Sequence, residues 1–339
     1  MNNYLLHIEN LKIDFPLDAG VVHAVRGLDI AIKRGEIVGL VGESGCGKSV
    51  TAQSLLRIVP PPGQITEGKI LFKHRQKVSA LESAERVTDL VSLNPRGKNI
   101  RDIRGNKIAM IFQEPSGSLA PIYTVGDQII EAIMLHKEVS KKEARMIAVE
   151  MLNKVGIPDP GTSIDRYPFE FSGGMRQRAM IAMALSCQPS LLIADEPTTA
   201  LDATIQAQIL KLMLDLQKEF NMAILFITHN LGVIAQIADK VAIMYLGKIV
   251  EMAGVREIFH NPKHPYTVGL LKAIPRIKPD QTDDKLFSIR GKVPGPFERV
   301  QGCPFHPRCD RMIPGHCNVN MPYEVFLNDG HSVSCFLYE

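Results

Sequence analysis

Residues 36–49 read EIVGLVGESGCGKS, and this stretch decides the fold. Its first half is an apolar run typical of a buried β-strand, and its second half fits the pattern G-x-x-x-x-G-K-[ST] without a mismatch. Residues 49–59, SVTAQSLLRIV, predict a helix. In a strand, glycine-rich loop and helix of this order, the backbone N–H groups of the loop can cradle the phosphates of a nucleotide.

Residues of this loop are expected to bind ATP and Mg²⁺. Lys48 should reach the β- and γ-phosphates, and the hydroxyl of Ser49 should ligate Mg²⁺. Because Cys46 lies near a lysine at the start of a helix, a lowered pKa is predicted for its thiol. The residues expected to contact the nucleotide are Gly42, Ser44, Gly45, Cys46, Gly47, Lys48, Ser49 and Val50.

The sequence around the loop indicates an α/β fold with a largely parallel sheet. Short β-type runs such as LLIADE and AILFIT alternate with helical runs such as IQAQILKLMLDLQKEF. We interpret residues 1–260 as one domain, in which residues 121–185 form a helical subdomain. Residues 241–253 predict a hairpin that turns at Leu246 and Gly247. The Pro-rich residues 261–339 are interpreted as a separate, loop-rich C-terminal extension.

Composition restricts the classes of function. The chain of 339 residues has a net charge of only +3, with both signs spread along it, so it lacks the basic stripe of a nucleic-acid-binding protein. We therefore expect no nucleic-acid partner. No segment approaches the roughly 18 consecutive apolar residues of a membrane span, and the first residues do not resemble a signal peptide. The chain is expected to stay in the cytoplasm.

A second strand delivers acidic side chains. The apolar residues 191–194 end in Asp195 and Glu196. Two adjacent acids at a strand end form a surface turn in most proteins, but downstream of a phosphate loop they favour a hydrolytic site. Asp195 is expected to hold Mg²⁺, and Glu196 is expected to orient and deprotonate the attacking water.

Several motifs resemble, in type and order, those of the ABC (ATP-binding cassette) ATPases, which implies a P-loop NTPase fold of the ABC type. The resemblance extends from near the N-terminus to about Ala253. Besides the phosphate loop and the acidic strand, it rests on a glutamine loop, a signature segment, a D-loop and a switch histidine. These are Phe112-Gln113-Glu114-Pro115, Phe171-Ser172-Gly173-Gly174-Met175-Arg176-Gln177, Ala200-Leu201-Asp202 and Thr228-His229.

This resemblance implies roles for residues outside the phosphate loop. Two ATPase subunits would meet head to tail, so that Ser172, Gly173 and Gly174 of one subunit cover the ATP on the phosphate loop of the other. Gln113 would sense Mg²⁺ and the attacking water, and His229 would contact the γ-phosphate and steady Glu196. The expected catalytic residues are Lys48, Gln113, Glu196 and His229, and the expected Mg²⁺ ligands are Ser49, Gln113 and Asp195.

The residue that stacks on adenine is left open by these motifs. Phe15 and His23 are aromatic candidates near the N-terminus. Val21 and Val22 are an alternative for the matching place in the sequence.

Four cysteines are concentrated in the C-terminal extension. Cys303, Cys309, Cys317 and Cys335 have the spacing C-x5-C-x7-C-x17-C. Four converging thiolates would suit either zinc or an iron–sulfur cluster. Two disulfides or four unrelated buried thiols are the alternatives, and disulfides are uncommon in a cytoplasmic protein.

Segments around these cysteines resemble the extension of the peptide and nickel branch of ABC importers. They are His264-Pro265-Tyr266-Thr267, Leu270-Leu271, Ala273-Ile274-Pro275, Gly291-Lys292-Val293-Pro294 and Cys303-Pro304-Phe305-His306-Pro307-Arg308-Cys309. For the cysteines, the resemblance implies a [4Fe–4S] cluster, ranked above zinc.

For function, the same resemblance implies an ATP-hydrolysing subunit of a dipeptide or oligopeptide importer at the cytoplasmic face of the cell membrane. Its partners would be a related, non-identical ATPase subunit, two integral membrane permease subunits and an extracellular peptide-binding receptor. An importer for nickel and a soluble ABC-type ATPase that acts on DNA are the alternative functions.

Overall fold

A computed structural model of the chain describes residues 4–77, 83–113, 117, 119–199, 201–274, 287–327 and 330–339. Glu114, Pro115, Ala200 and Pro275, which belong to motifs quoted above, lie outside the described residues. The chain divides into two units. Unit 1 comprises Met1–Leu6, Ile32–Glu36 and Leu71–Ile227, and unit 2 comprises His7–Ala31, Ile37–Ile70 and Thr228–Glu339.

The described residues form twelve β-strands and ten α-helices. The strands are β1 (Tyr4–Leu17), β2 (Gly20–Lys33), β3 (Ile37–Val41), β4 (Gln64–Lys77), β5 (Ser83–Asp89), β6 (Ile108–Ile111), β7 (Leu191–Asp195), β8 (Ala223–Thr228), β9 (Lys240–Tyr245), β10 (Lys248–Gly254), β11 (Val325–Phe326) and β12 (Ser332–Val333). The helices are α1 (Lys48–Leu55), α2 (Lys98–Ile103), α3 (Val125–His136), α4 (Lys141–Lys154), α5 (Pro160–Ser163), α6 (Gly173–Leu185), α7 (Ala203–Phe220), α8 (Leu231–Ile237), α9 (Val255–His260) and α10 (Pro265–Lys272).

The core of unit 1 is a parallel sheet. Strand β7 pairs in parallel with β6 and with β8. Every residue of β7 and β8 is buried, as expected for parallel strands that are covered on both faces. The prediction of an α/β fold is confirmed. Residues 121–185, all of which are described, contain α3, α4, α5 and α6 and no strand.

Unit 2 contains strands in the order β11-β12-β10-β9-β3. Strand β3 runs parallel to β9, and β9 pairs antiparallel with β10. The predicted hairpin is confirmed, because Leu246 and Gly247 connect β9 and β10 with φ angles of 44° and 82°. Both angles are positive, as a tight turn between two strands requires.

The extension adds strands to the sheet of unit 2. Strand β12 pairs antiparallel with β10, with Val333 opposite Glu251 and Ser332 opposite Met252. Strand β11 pairs in turn with β12. Among the other described residues of the extension, the regular elements are α10 and a 3₁₀ turn at His306–Arg308. Its main-chain pairing with β10 was not predicted from the sequence.

Within the described ranges, no helix is both long enough and apolar enough to cross a membrane.

Glu251 lies at the centre of a buried polar cluster in unit 2. Its side chain is fully buried and accepts hydrogen bonds from the backbone N–H groups of Lys263 and His264 at 2.7 and 2.9 Å. Nε2 of His331 lies 2.7 Å from the same carboxylate. Burial lowers the pKa of His264 to about 3, so this ring is neutral and its Nδ1 accepts from the N–H of Tyr266. The cluster therefore ties β10 to two segments of the extension.

Replacement of Glu251 by alanine is expected to lower the free energy of unfolding by about 3 kcal/mol, because buried polar partners lose their acceptor. Denaturant titration of the purified chain measures this loss. Glu257→Ala is the matched control, since Glu257 is exposed on α9, and its effect is expected to stay within about 0.5 kcal/mol. Equal stability losses in the two variants would contradict the prediction.

Candidate nucleotide site

Residues 42–47 form the loop between β3 and α1 of unit 2, and Lys48 and Ser49 are the first two residues of α1. Gly47 is the N-cap of α1 with φ of 106°, and an added Cβ there would lie 2.4 Å from the carbonyl oxygen of Ala24. At Gly42 an added Cβ would lie only 2.2 Å from the carbonyl oxygen of Met244. Glycine is thus required at these two positions by backbone contacts. The loop also bonds to the hairpin turn, through the N–H of Gly247 and the carbonyl of Cys46 at 2.9 Å.

Lys48 is held within this loop. Its side-chain ammonium donates to the carbonyl oxygens of Gly42 and Glu43 at 2.8 and 3.1 Å, and the residue is only 6% exposed. Ser49 follows as the second residue of α1. A cation and the partly positive N-terminus of a helix are therefore placed together, which is the electrostatic arrangement that favours bound phosphate.

Cys46 differs from its prediction. The residue is 4% exposed, and burial raises the pKa of its thiol despite the nearby ammonium of Lys48. The predicted lowering of this pKa is therefore wrong. Loss of hydration outweighs the attraction between a thiolate and the lysine at this position. At an exposed helix N-terminus, the helix dipole and the lysine would instead lower the pKa of a thiol.

In unit 1, the Glu196 carboxylate is fixed by neighbouring polar groups. Nε2 of Gln113 and Oγ1 of Thr199 donate to its Oε2 at 3.1 and 3.0 Å. The backbone N–H of Glu196 donates to the carbonyl of Ile227 at 2.9 Å, and its φ is 47°. A positive φ at a residue other than glycine is uncommon and is concentrated at functional sites.

Asp195 ends β7 just before Glu196 and is buried, with 4% exposure. The carboxyl end of a buried parallel strand is a common position for residues that bind ligands. Its carboxylate, the hydroxyl of Ser49 and the amide oxygen of Gln113 are hard oxygen donors, so their chemistry fits Mg²⁺. Binding of Mg²⁺ by these three residues stays a prediction.

The signature segment begins helix α6. Ser172 is its N-cap, and its hydroxyl accepts from the N–H of Met175 at 3.3 Å. Phe171 is buried as an apolar anchor, at 2% exposure. An added Cβ at Gly173 would meet no atom within 4 Å, whereas at Gly174 it would lie 3.1 Å from Ile205. The first of the two glycines thus faces open space.

His229 follows β8 and is exposed. The next residue, Asn230, caps α8 by accepting from the N–H groups of Gly232 and Val233. Of the described D-loop residues, Asp202 caps α7 through a bond from the N–H of Ile205 at 2.9 Å.

The two aromatic candidates for adenine stacking already have neighbours within unit 2. His23 bonds to Asp14 through its Nδ1 at 2.8 Å. The ring of Phe15 packs closely against Gly63.

The predicted metal site in the extension is wrong. All six cysteines lie in the described part of the chain, and none forms a disulfide. Among the described residues, no group of three or more His, Cys, Asp or Glu side chains could hold a metal ion. This finding overturns both the [4Fe–4S] cluster and the zinc alternative at Cys303, Cys309, Cys317 and Cys335.

The surroundings of these thiols favour the protonated form. Burial raises the pKa of Cys303 to about 11 and also raises the pKa of Cys309 and Cys335. Cys317 instead accepts a hydrogen bond from the N–H of Ile313. The cavity beside the cysteines measures about 20 Å³, which is close to the space of one water molecule.

The sequence did not reveal two residues of these sites. Thr199 contacts the Glu196 carboxylate, and only its place after the acidic pair could have indicated it. Glu43 occupies a variable position of the loop pattern, yet Arg308 of the extension bonds to its carboxylate through two nitrogens. No local signal connects positions so far apart in sequence.

Two family models match the chain. Residues 25–199 match "ABC transporter", and residues 250–317 match "Oligopeptide/dipeptide transporter, C-terminal region". The dipeptide transport ATP-binding protein DppD of Bacillus subtilis is 47% identical over 337 residues, covering 99% of this chain and 95% of that protein. The oligopeptide transport ATP-binding protein AppD of the same organism is 47% identical over 336 residues, covering 99% and 97%.

A solved structure supports the fold. cbiO1 from Clostridium perfringens, described as part of the ABC transporter complex cbiONQ, superposes with a TM-score of 0.61 at 26% identity. The match covers 79% of this chain and 96% of that one. The alternatives of a DNA-acting ATPase and a nickel importer are not favoured by the relatives. The chain belongs to the ABC transporter family, as an ATP-hydrolysing, ATP-binding subunit with the C-terminal region of oligopeptide and dipeptide transporters.

Proposed function

We propose that this chain hydrolyses ATP to drive the import of dipeptides or oligopeptides through a membrane complex. The observation that carries the hydrolytic part is the Glu196 carboxylate, which Gln113 and Thr199 hold at the end of β7. The peptide part is supported by the C-terminal region and by relatives with 47% identity that are described as dipeptide and oligopeptide transport proteins.

In the proposed mechanism, Glu196 is the general base. Its carboxylate orients a water molecule and accepts a proton as the water attacks the γ-phosphate of ATP. Gln113 positions this carboxylate, while His229 contacts the γ-phosphate. Lys48 neutralises charge that develops on the β- and γ-phosphates, as a fixed cation does in phosphoryl transfer.

Backbone N–H groups of the loop would bind the nucleotide, and side-chain oxygen atoms would bind its metal ion. Ser44 to Val50 would direct backbone N–H groups and the start of α1 toward the phosphates. The Ser49 hydroxyl, the Gln113 amide oxygen and the Asp195 carboxylate, in the last case through water, would hold Mg²⁺. That ion would supply charge neutralisation for the triphosphate.

A second ATPase subunit completes the proposed site. The start of α6, with the Ser172 hydroxyl and the N–H groups of Gly173 and Gly174, is suited to bind the γ-phosphate of ATP on a partner. The open space at Gly173 supports this role, because a phosphate could approach its backbone. We propose a related, non-identical chain as the partner.

The remaining partners follow from the proposed transport function. They are two integral membrane permease subunits and an extracellular peptide-binding receptor, with this chain bound at the cytoplasmic face of the membrane. In the proposed division, residues 1–260 form the nucleotide-binding domain, including a helical subdomain at 121–185. Residues 261–339 form the extension, and the family match at residues 250–317 overlaps it while starting before residue 261.

The test is reconstitution of the complete complex in liposomes. ATP hydrolysis should rise when the receptor is loaded with a dipeptide or a short oligopeptide, and labelled peptide should accumulate inside. A complex in which only nickel stimulates hydrolysis and transport would overturn the peptide assignment. An absence of ATP hydrolysis with every substrate would overturn the proposed function as a whole.

A further inference from the structure

Glu43, the second residue of the phosphate loop, is held through three of its own groups: its carboxylate, its backbone N–H and its carbonyl oxygen. Nη1 and Nη2 of Arg308 donate to its two carboxylate oxygens at 2.6 and 3.0 Å. Its backbone N–H donates to the hydroxyl of Tyr266 at 3.0 Å. Its carbonyl oxygen accepts from the ammonium of Lys48 at 3.1 Å. Two of these three contacts come from the extension.

Arg308 is itself firmly placed. Its side chain is 4% exposed, whereas that of Glu43 is 27% exposed. The guanidinium donates to the carbonyl of Arg290 through Nε at 3.1 Å and lies 5.8 Å from the centre of the Tyr245 ring. Hydrogen bonding to Glu43 raises the pKa of Arg308 further above its usual value. A buried cation with bidentate bonds to one carboxylate is directional and fixes the geometry of its partner.

Aromatic packing makes the surroundings of both contacts rigid. The rings of Tyr245, Tyr266 and Phe305 lie 4.7 to 5.4 Å apart, at angles of 55° to 88°. These separations are those of favourable aromatic pairs. Tyr245 ends β9, while Tyr266 is the second residue of α10 and Phe305 precedes the 3₁₀ turn that carries Arg308. The two residues of the extension that contact Glu43, Tyr266 and Arg308, are therefore held by a packed aromatic cluster.

We propose that Arg308 and Tyr266 are positioning residues for nucleotide binding, which act by holding Glu43 and with it the shape of the phosphate loop. The fixed Glu43 places two carbonyl groups, its own and that of Gly42, where they hold the ammonium of Lys48. A loop that is already ordered loses less conformational entropy when it closes on phosphate. The extension is therefore part of the ATP-binding apparatus, and this inference rests on the proposed function.

The central experiment compares ATP binding by the full-length protein and by Arg308→Met. The dissociation constant for ATP with Mg²⁺, measured by calorimetric titration, should rise roughly 10-fold, within the usual range of coupling between sites. The Michaelis constant for ATP should rise similarly, while turnover at saturating ATP in the assembled complex stays near that of the unaltered protein. Arg308→Lys, which retains one charged donor, should restore part of the affinity.

Arg311→Met is the matched control, because Arg311 is an exposed arginine of the same extension. Its ATP affinity should equal that of the unaltered protein. Hydrogen exchange supplies a readout that general destabilisation would not give. The amides of residues 42–49 should exchange faster in Arg308→Met, while those of α6 in unit 1 stay unchanged. Equal loss of protection in both regions would overturn the positioning role.

A second variant, Tyr266→Phe, keeps the charge pair between Arg308 and Glu43. It tests the proposal even if Arg308→Met does not fold. Tyr266→Phe removes only the hydroxyl that bonds to the Glu43 N–H and retains the packed ring. A smaller rise in the ATP dissociation constant, about 3-fold, is expected for the loss of one hydrogen bond. Unchanged affinity in folded variants of both residues would overturn the inference. Absence of ATP binding by the unaltered protein would instead contradict the proposed function.

Discussion

Glu196→Gln is expected to lower the rate of ATP hydrolysis by at least about 100-fold, the lower end of the range for loss of a general base. Glutamine has nearly the same shape and retains an acceptor oxygen for the bonds from Gln113 and Thr199. The loop and α1 are untouched, so ATP binding should remain. Steady-state phosphate release and equilibrium ATP binding, measured on the reconstituted complex, separate the two effects.

The control for this substitution is Glu131→Gln. Glu131 is exposed on α3, and the same chemical change there should leave hydrolysis within about two-fold of the unaltered rate. Turnover by Glu196→Gln that also stays within two-fold would exclude Glu196 as the base. A loss of ATP binding that parallels the loss of hydrolysis would assign Glu196 to nucleotide binding instead.

Gly42→Ala should have the largest effect on the nucleotide site as a whole. The added methyl group would lie 2.2 Å from the Met244 carbonyl oxygen and 2.7 Å from the Cys46 sulfur. Met244 cannot move away easily, because β9 is paired on both sides, with β3 and β10. The loop must shift instead, with an expected loss of stability of about 2–3 kcal/mol. A shift of about 1 Å can reduce activity by about 100-fold.

Gly161→Ala gives the comparison for this loop variant. Its added Cβ would meet no atom within 4 Å, and its φ is outside the left-handed region. Denaturant unfolding and ATP titration on both variants should show a loss only for Gly42→Ala. If Gly42→Ala binds ATP and unfolds like the unaltered chain, the close approach of the loop to β9 does not govern the site.

Local sequence patterns predicted the fold and the placement of several motifs. The continuous apolar runs of β3, β7 and β8 are typical of buried parallel strands, and glycines mark the phosphate loop. The hairpin at Leu246 and Gly247 was predicted by a strand-turn-strand pattern. These features depend mainly on residues near each other in the chain, so one sequence is sufficient to indicate them.

Features that depend on distant residues were missed or misjudged. The pair between Glu43 and Arg308 joins positions 265 residues apart, and β12 is too short, at two residues, for a periodic signal. The pKa of the Cys46 thiol depends on its burial, which the neighbouring residues in the sequence do not reveal. The four cysteines have a plausible spacing, but spacing alone does not determine whether thiolates converge on one point.

The pairing of β12 with β10 has a consequence for shortened versions of the subunit. A chain cut after residue 260 would keep the phosphate loop but would expose the outer N–H and C=O groups of β10. An unprotected edge strand of this kind recruits other chains and promotes aggregation. In the intact protein, two strands of two residues each occupy that position, and such short strands are poor templates for intermolecular pairing. The extension thereby protects the subunit from aggregation. A version that ends at residue 260 would need an engineered segment to cover the edge of β10.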